Sequence, residues 1–200
     1  MTNEQHTEPK PFDTRPICWP PTGGLRGPLA APPHYTATRT YLYIRREPGE
    51  DCFGPHPQTY LHRNDLVASG RVQPAGGGLP ADANIWQRAD RAAASEGEGG
   101  ISAISAVATL PPGASLEDWQ ALIEIWAEAE LLSRGMICDW AVHAPRGSRG
   151  FPHAHLLITA RGWSDPDGCC PYRSDWLSLF MRAGELEASW LAVSELAAAL

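Results

Sequence analysis

Several things are missing from this sequence, and each absence closes off a class. No apolar run is long enough to span a bilayer, so no membrane segment is expected. The opening stretch, "MTNEQHTEPKPFDTRPICWPPTGG", is polar and Pro-rich and lacks the apolar centre of a secretory signal. The five cysteines are odd in number and never fall in a C-x-x-C spacing. Free thiols in a reducing cytoplasm are therefore expected rather than a disulfide framework or a zinc ribbon. Positive charge is also short: 16 Lys and Arg face 23 Asp and Glu, for a net charge of −7. That balance argues against a broad nucleic-acid surface, because phosphate binding rewards Lys and Arg.

What is present is enough for one folded domain. The 200 residues are 43% hydrophobic, which supports a single core. The 19 Gly and 19 Pro exceed ordinary usage and lie mostly before residue 115, which points to long irregular stretches there. Residues 1–33 carry no period and read as a disordered or loosely packed arm, leaving 34–200 as the domain. "HYTATRTYLYIRR", 34–46, alternates and is β-branched and aromatic, so a strand is expected. "TYLHRNDLVASG" suggests a short strand and turn.

The second half is easier to read. Asp82 could cap a helix carrying Ile85, Trp86 and Ala89 and ending near "SEGEGG". "ISAISAVATLPP" reads as a buried strand stopped by Pro111. Ser115 and Asp118 form a capping-box pattern, opening a helix with the stripe Leu116, Trp119, Leu122, Ile123 and Trp126 and ending at Gly135. "MICDWAVHA" and "HAHLLITAR" are strands joined by a short loop, so they should pair antiparallel. A last helical region runs from about Ser174 to Ala198 with a break near Gly184. The expected class is α+β: an antiparallel sheet with helices packed on it, preceded by a long irregular N-terminal arm.

Three of the seven histidines fall within "HAPRGSRGFPHAH", residues 143–155. His153 and His155 are two apart on a strand and project from one face. His143 ends the preceding strand across a hairpin-like loop, so its ring can approach theirs. Three neutral imidazoles converging in this way make an open metal site, with positions left for water or substrate. The bland alternative is three ordinary surface or core histidines. Between Ala141 and Ser164 there are three arginines, Arg146, Arg149 and Arg161, and no carboxylate. They read as phosphate-backbone contacts or as solvated loop residues. Trp140 and Trp163 bracket the hairpin, either to stack on single-stranded bases or to pack the core.

"GMICDWAVHAPRGSRGFPHAHLLITAR" resembles the metal motif of MobA/MobL-type plasmid mobilisation relaxases, within the His-hydrophobe-His endonuclease group. The flanking "PADANIWQRADRAAA", "ISAVATLPP" and "LEDWQALIEIWAEAELLSRGM" are similar to that family's Trp-bearing helix, its strand ending in "LP" and its next helix, and the tail "ELEASWLAVSELAAAL" to a later one. The resemblance covers roughly 60–200 and implies a relaxase-like domain. It implies His143, His153 and His155 as ligands of Mg²⁺ or Mn²⁺, although imidazole alone would favour Zn or Ni. It further implies site- and strand-specific nicking and strand transfer at a plasmid or mobile-element origin, through a tyrosine nucleophile. The partners would be single-stranded origin DNA and accessory mobilisation proteins. "RTYLYIRREPGE" offers Tyr43 as the candidate, with Tyr41 second and Tyr35 third, since Tyr43 precedes "IRREPGE" much as the family tyrosine precedes "RSGE". The family's first strand and Ser/Ala-rich helix have no visible counterpart in "CWPPTGGLRGPLAAPPHYTATRT".

Two other classes fit parts of the sequence. One is a catalytically degraded relaxase fold that serves as a DNA- or partner-binding module, in keeping with the negative charge and unusual N-terminus. The other is a metal-dependent phosphoesterase unrelated to DNA. "HAHLLI" is similar to the histidine-triad nucleotide hydrolases, but Leu157 stands where they require a further histidine.

Overall fold

The structure is a computed structural model that describes residues 10–19, 36–55, 60–75, 84–144, 151–162 and 172–198. Its centre is a five-stranded antiparallel sheet. In chain order the strands are β1 (Phe12–Cys18), β4 (Leu66–Val72), β5 (Ile101–Thr109), β6 (Cys138–His143) and β7 (His153–Thr159), and in space they run β1-β5-β7-β6-β4. A two-residue pair, β2 (Glu50–Asp51) and β3 (Gly54–Pro55), stands apart from it. The helices are α1 (Ala37–Arg45), α2 (Asn84–Glu96), α3 (Leu116–Glu130), α4 (Ser174–Met181) and α5 (Ala183–Ala198). The α+β architecture follows.

The helices cover the sheet from both sides. On one side, Ile104, Ala106, Trp140, Val142, Leu156 and Ile158 of the sheet pack against Leu122, Ile123 and Trp126 of α3 and Trp176 and Trp190 of α4 and α5. Trp126 is fully buried, 5.0 Å from Phe12 and 5.7 Å from Trp190 between ring centroids. Trp140 belongs to this core at 2% exposure, so its ring packs the interior and is not presented for base stacking. Its indole lies so close to Gly70 that a β-carbon there would sit 2.5 Å from the ring, so β4 needs glycine at that point. On the other side, Ala37 and Ile44 of α1 and Ile85 and Trp86 of α2 pack on Ile17, Ala103, Ala141 and Leu157.

The second half of the chain folds as its local signals dictate. Ser115 and Asp118 make the reciprocal capping box of α3. Leu122, Ile123 and Trp126 are buried along its stripe, while Leu116 is exposed. The helix ends at Glu130, and a 3-10 turn, Leu132–Arg134, carries the chain to Gly135 in the left-handed region. Asp82 and Trp163 lie outside the described residues.

The first half corrects two expectations. Residues 37–45 form a helix, not a strand. The polar and β-branched residues that suggested a strand are instead bonded within and beneath α1. Thr36 caps it, and its side chain accepts from the Arg39 N–H at 2.9 Å. The buried carboxylate of Asp90, from α2, accepts from the backbone N–H groups of Ala37 and Thr38, each at 2.9 Å, and from the Thr38 hydroxyl at 2.6 Å. The two backbone donors are among those a helix start leaves unpaired. Residues 12–18, expected within a loose arm, are the edge strand β1, paired with β5 from Phe12↔Ala108 to Cys18↔Ile101. Only Phe12 and Ile17 on β1 are buried side chains with apolar character, and Pro16 interrupts its pattern, a residue that edge strands tolerate. The chain therefore does contain a first strand and a following helix ahead of β4.

Candidate metal and tyrosine site

Side-chain alternation divides β7 between two faces. Ala154, Leu156 and Ile158 enter the core under α3, and His153, His155 and Leu157 point to the opposite face. His143 pairs with His153 across the β6–β7 ladder, and Ala141 pairs with His155. All three imidazoles therefore share a face. Each offers one nitrogen, and those nitrogens lie within 4.8 Å of one another. The ring centroids are 4.6 Å apart for His143–His155, 5.0 Å for His153–His155 and 5.5 Å for His143–His153.

The rings are oriented by backbone carbonyls. Nδ1 of His153 donates to the Phe151 oxygen at 2.9 Å, which leaves its Nε2 lone pair free to bind. Nε2 of His143 donates to the Ile44 oxygen at 2.8 Å. Burial is the main force lowering the His143 pKa, to about 4, with Arg46 and His153 adding to it against the Ile44 carbonyl. Burial also drives the His155 pKa down to about 2, helped by the two neighbouring histidines. At neutral pH both rings are thus uncharged and carry a lone pair, the state a metal requires. The donor set fits a divalent cation, and an all-imidazole set suits Zn or Ni better than Mg or Mn on ligand chemistry.

Tyr43, near the C-terminal end of α1, hangs over this cluster. Its ring lies 5.8 Å from His155 and 6.3 Å from His143, centroid to centroid, and 5.8 Å from Tyr60. Tyr41, two residues back on the helix, sits instead under the Arg45 guanidinium at 5.3 Å. Burial raises its hydroxyl pKa, and Arg45 opposes that rise. Tyr35 lies outside the described residues, as do Arg146 and Arg149. Arg161 is brought nowhere near the histidines. It follows the far end of β7, 1% exposed, with its guanidinium bonded to the Glu96 carboxylate at 2.8 and 2.6 Å and to the Ile101 oxygen at 2.8 Å. Its charge ties α2 to the sheet, and it offers no surface for a phosphate.

Two residues at the site were not apparent in the sequence. Arg46 caps α1 in the left-handed region, φ 56°, the one non-glycine with positive φ among the described residues. Its guanidinium makes a two-point ion pair with Asp65 at 2.9 and 2.8 Å and donates to the Tyr43 backbone carbonyl at 2.7 Å. It lies 4.6 Å from the centre of the Tyr43 ring, and Nη2 reaches Nδ1 of His143 at 3.1 Å. Burial alone would raise the Asp65 pKa, but the bonds and charge of Arg46 hold it below the ordinary carboxylate value. The only local hint was the helix-stopping run "RREPGE", residues 45–50.

The fold has a counterpart among solved structures. A chain from "Molecular Basis of Vancomycin Resistance Transfer in Staphylococcus aureus" matches 81% of this one, and 84% of its own length, with a TM-score of 0.63 at 20% identity. The sequence goes further: the MobA/MobL family matches residues 56–184, and the chain belongs to that family. A curated relative, the conjugal transfer protein TraA of Rhizobium radiobacter, is 33% identical over 103 residues. That match spans 44% of this chain but 9% of TraA, so the present chain corresponds to a small part of that protein. No helix among the described residues is long and apolar enough to cross a membrane.

Proposed function

We propose that this protein is a relaxase, a metal-dependent enzyme that nicks one DNA strand at a plasmid or mobile-element origin and transfers the strand end for conjugative mobilisation. Membership of the MobA/MobL family supports the reading, as does the similarity to a protein named for conjugal transfer. The observation that carries it is the placement of one tyrosine ring within 6.3 Å of two of three convergent imidazoles. In this reading the Tyr43 hydroxyl attacks the scissile phosphorus. A phosphotyrosine bond forms as the hydroxyl gives up its proton, the phosphorus–oxygen bond to the neighbouring sugar breaks, and the departing oxygen gains a proton to leave a hydroxyl end, with no net proton consumed. The bond energy is kept, so the strand can be rejoined. His143, His153 and His155 hold the cation, which when bound polarises the phosphate and offsets its developing charge. Arg46 and the Ile44 and Phe151 carbonyls fix the tyrosine and the rings. Single-stranded origin DNA is the proposed substrate, and accessory mobilisation proteins are proposed partners.

The test is a supercoiled plasmid carrying the element's own origin, incubated with protein and Mn²⁺. The parent should produce open circles, and Tyr43→Phe should lower the rate by several orders of magnitude, since the attacking atom is gone. Nicking at the parental rate would remove Tyr43 from the chemistry. A parent that binds the origin but never nicks it would favour the non-catalytic DNA-binding reading.

A further inference from the structure

We propose that Arg46 is a positioning residue that competes with the cation for His143, so that filling the metal site and releasing the Arg46–His143 hydrogen bond are one event. This rests on the metal-site reading above. The argument is a proton count. A carbonyl oxygen only accepts, so the 2.8 Å contact with Ile44 requires the His143 proton to be on Nε2. A guanidinium only donates, so the 3.1 Å contact with Arg46 uses the lone pair on Nδ1. A neutral imidazole has a single such lone pair, and Arg46 holds it.

Coordination through either nitrogen ends that arrangement. If Nδ1 takes the metal, its lone pair leaves the guanidinium. If Nε2 takes the metal, the ring proton moves to Nδ1, where it faces the Arg46 N–H across a contact that neither can accept. Arg46 has little room to withdraw as a whole. Its side chain is 5% exposed, Asp65 grips it at two points, and its backbone holds a conformation that side chains seldom adopt. The exchange therefore falls on the one Nη2 N–H that faces His143. Freed there, a buried donor needs a new acceptor, and a phosphate oxygen beside the histidines is the acceptor the proposed substrate supplies. The same guanidinium lies over the Tyr43 ring and holds its backbone oxygen, so occupancy of the metal site is communicated to a cation in contact with the tyrosine.

The signature is two effects of opposite sign. In calorimetric titrations of the full chain with Mn²⁺ alone, Arg46→Met should bind about tenfold more tightly than the parent, because a charge-assisted hydrogen bond no longer competes. Arg46→Lys should fall between them. The nicking rate of Arg46→Met should drop, as Tyr43 and the phosphate lose their partner. Damage to a purely structural residue would weaken both. Because Asp65 is left unpaired in that variant, the double variant Arg46→Met/Asp65→Asn is the control. Retained tight binding supports competition, and a return to parental affinity overturns it. Should the variants not fold, the parent decides: on adding Zn²⁺, the nitrogen resonances of His143 and the Arg46 guanidinium should shift together, and an unchanged Arg46 signal would overturn the proposal. A parent that binds no cation overturns the metal site as well. A parent that binds, with Arg46→Met binding no tighter, overturns only the role of Arg46.

Discussion

The two faces of β7 are built from alternate residues of one seven-residue strand, yet they serve opposite ends. Ala154, Leu156 and Ile158 vanish under α3 among tryptophans and leucines. On the other side their neighbours His153 and His155 both face a third histidine, and His155 also faces a tyrosine. The sealed face supplies free energy, and the histidine face is the one to which the proposed function assigns the chemistry. The two-residue period of a strand lets one mutation probe one face with little effect on the other.

The sealed face should show the largest loss of stability. Trp126→Ala removes a fully buried indole wedged against Phe12 and Trp190 and should cost about 3–5 kcal/mol, read from the urea midpoint. A loss below 1 kcal/mol would mean that this face is not where the stability resides. Acid should act on the histidine face. His143 and His155 titrate near 4 and 2 in the folded chain, below the unfolded value of about 6.5. Below pH 6.5 the unfolded chain binds more protons than the folded one, so stability falls as pH falls. The deficit should reach ~2 kcal/mol for each histidine by pH 5, seen as a lower melting temperature in metal-free buffer. It should shrink in the His155→Ala variant. The smallest stability effect belongs to His153→Ala, within about 0.5 kcal/mol of the parent for a half-buried ring. The same substitution should abolish Mn²⁺ binding in a calorimetric titration. Intact metal binding would show that the trio does not act as one site.

Legibility followed the range of the forces involved. β5, α3, β6 and β7 announce themselves through periods, caps and stops that act within a few residues, and so did the histidine trio, because a hairpin makes neighbours in sequence neighbours in space. α1 was misread because its deciding partners, Asp51 and Asp90, lie 12 or more residues away. β1 was hidden because an edge strand is held chiefly by backbone bonds to β5, which leave little trace in side-chain pattern. Arg161 looked like a solvated cation beside a basic loop until Glu96, 65 residues earlier, claimed it. Arg46 could not be singled out by any local rule. It matters through Asp65, Tyr43 and His143, contacts that exist only once helix, loop and strand are assembled.

Tyr43 is carried on a short rod nailed down at both ends, by the Asp90 carboxylate at its start and by Arg46 at its finish. A helix mounted in that way does not swing out to meet a partner. On the proposed function, the DNA must therefore be brought to the tyrosine, and an adduct on its hydroxyl would stay parked above the same three imidazoles until another strand end came to collect it.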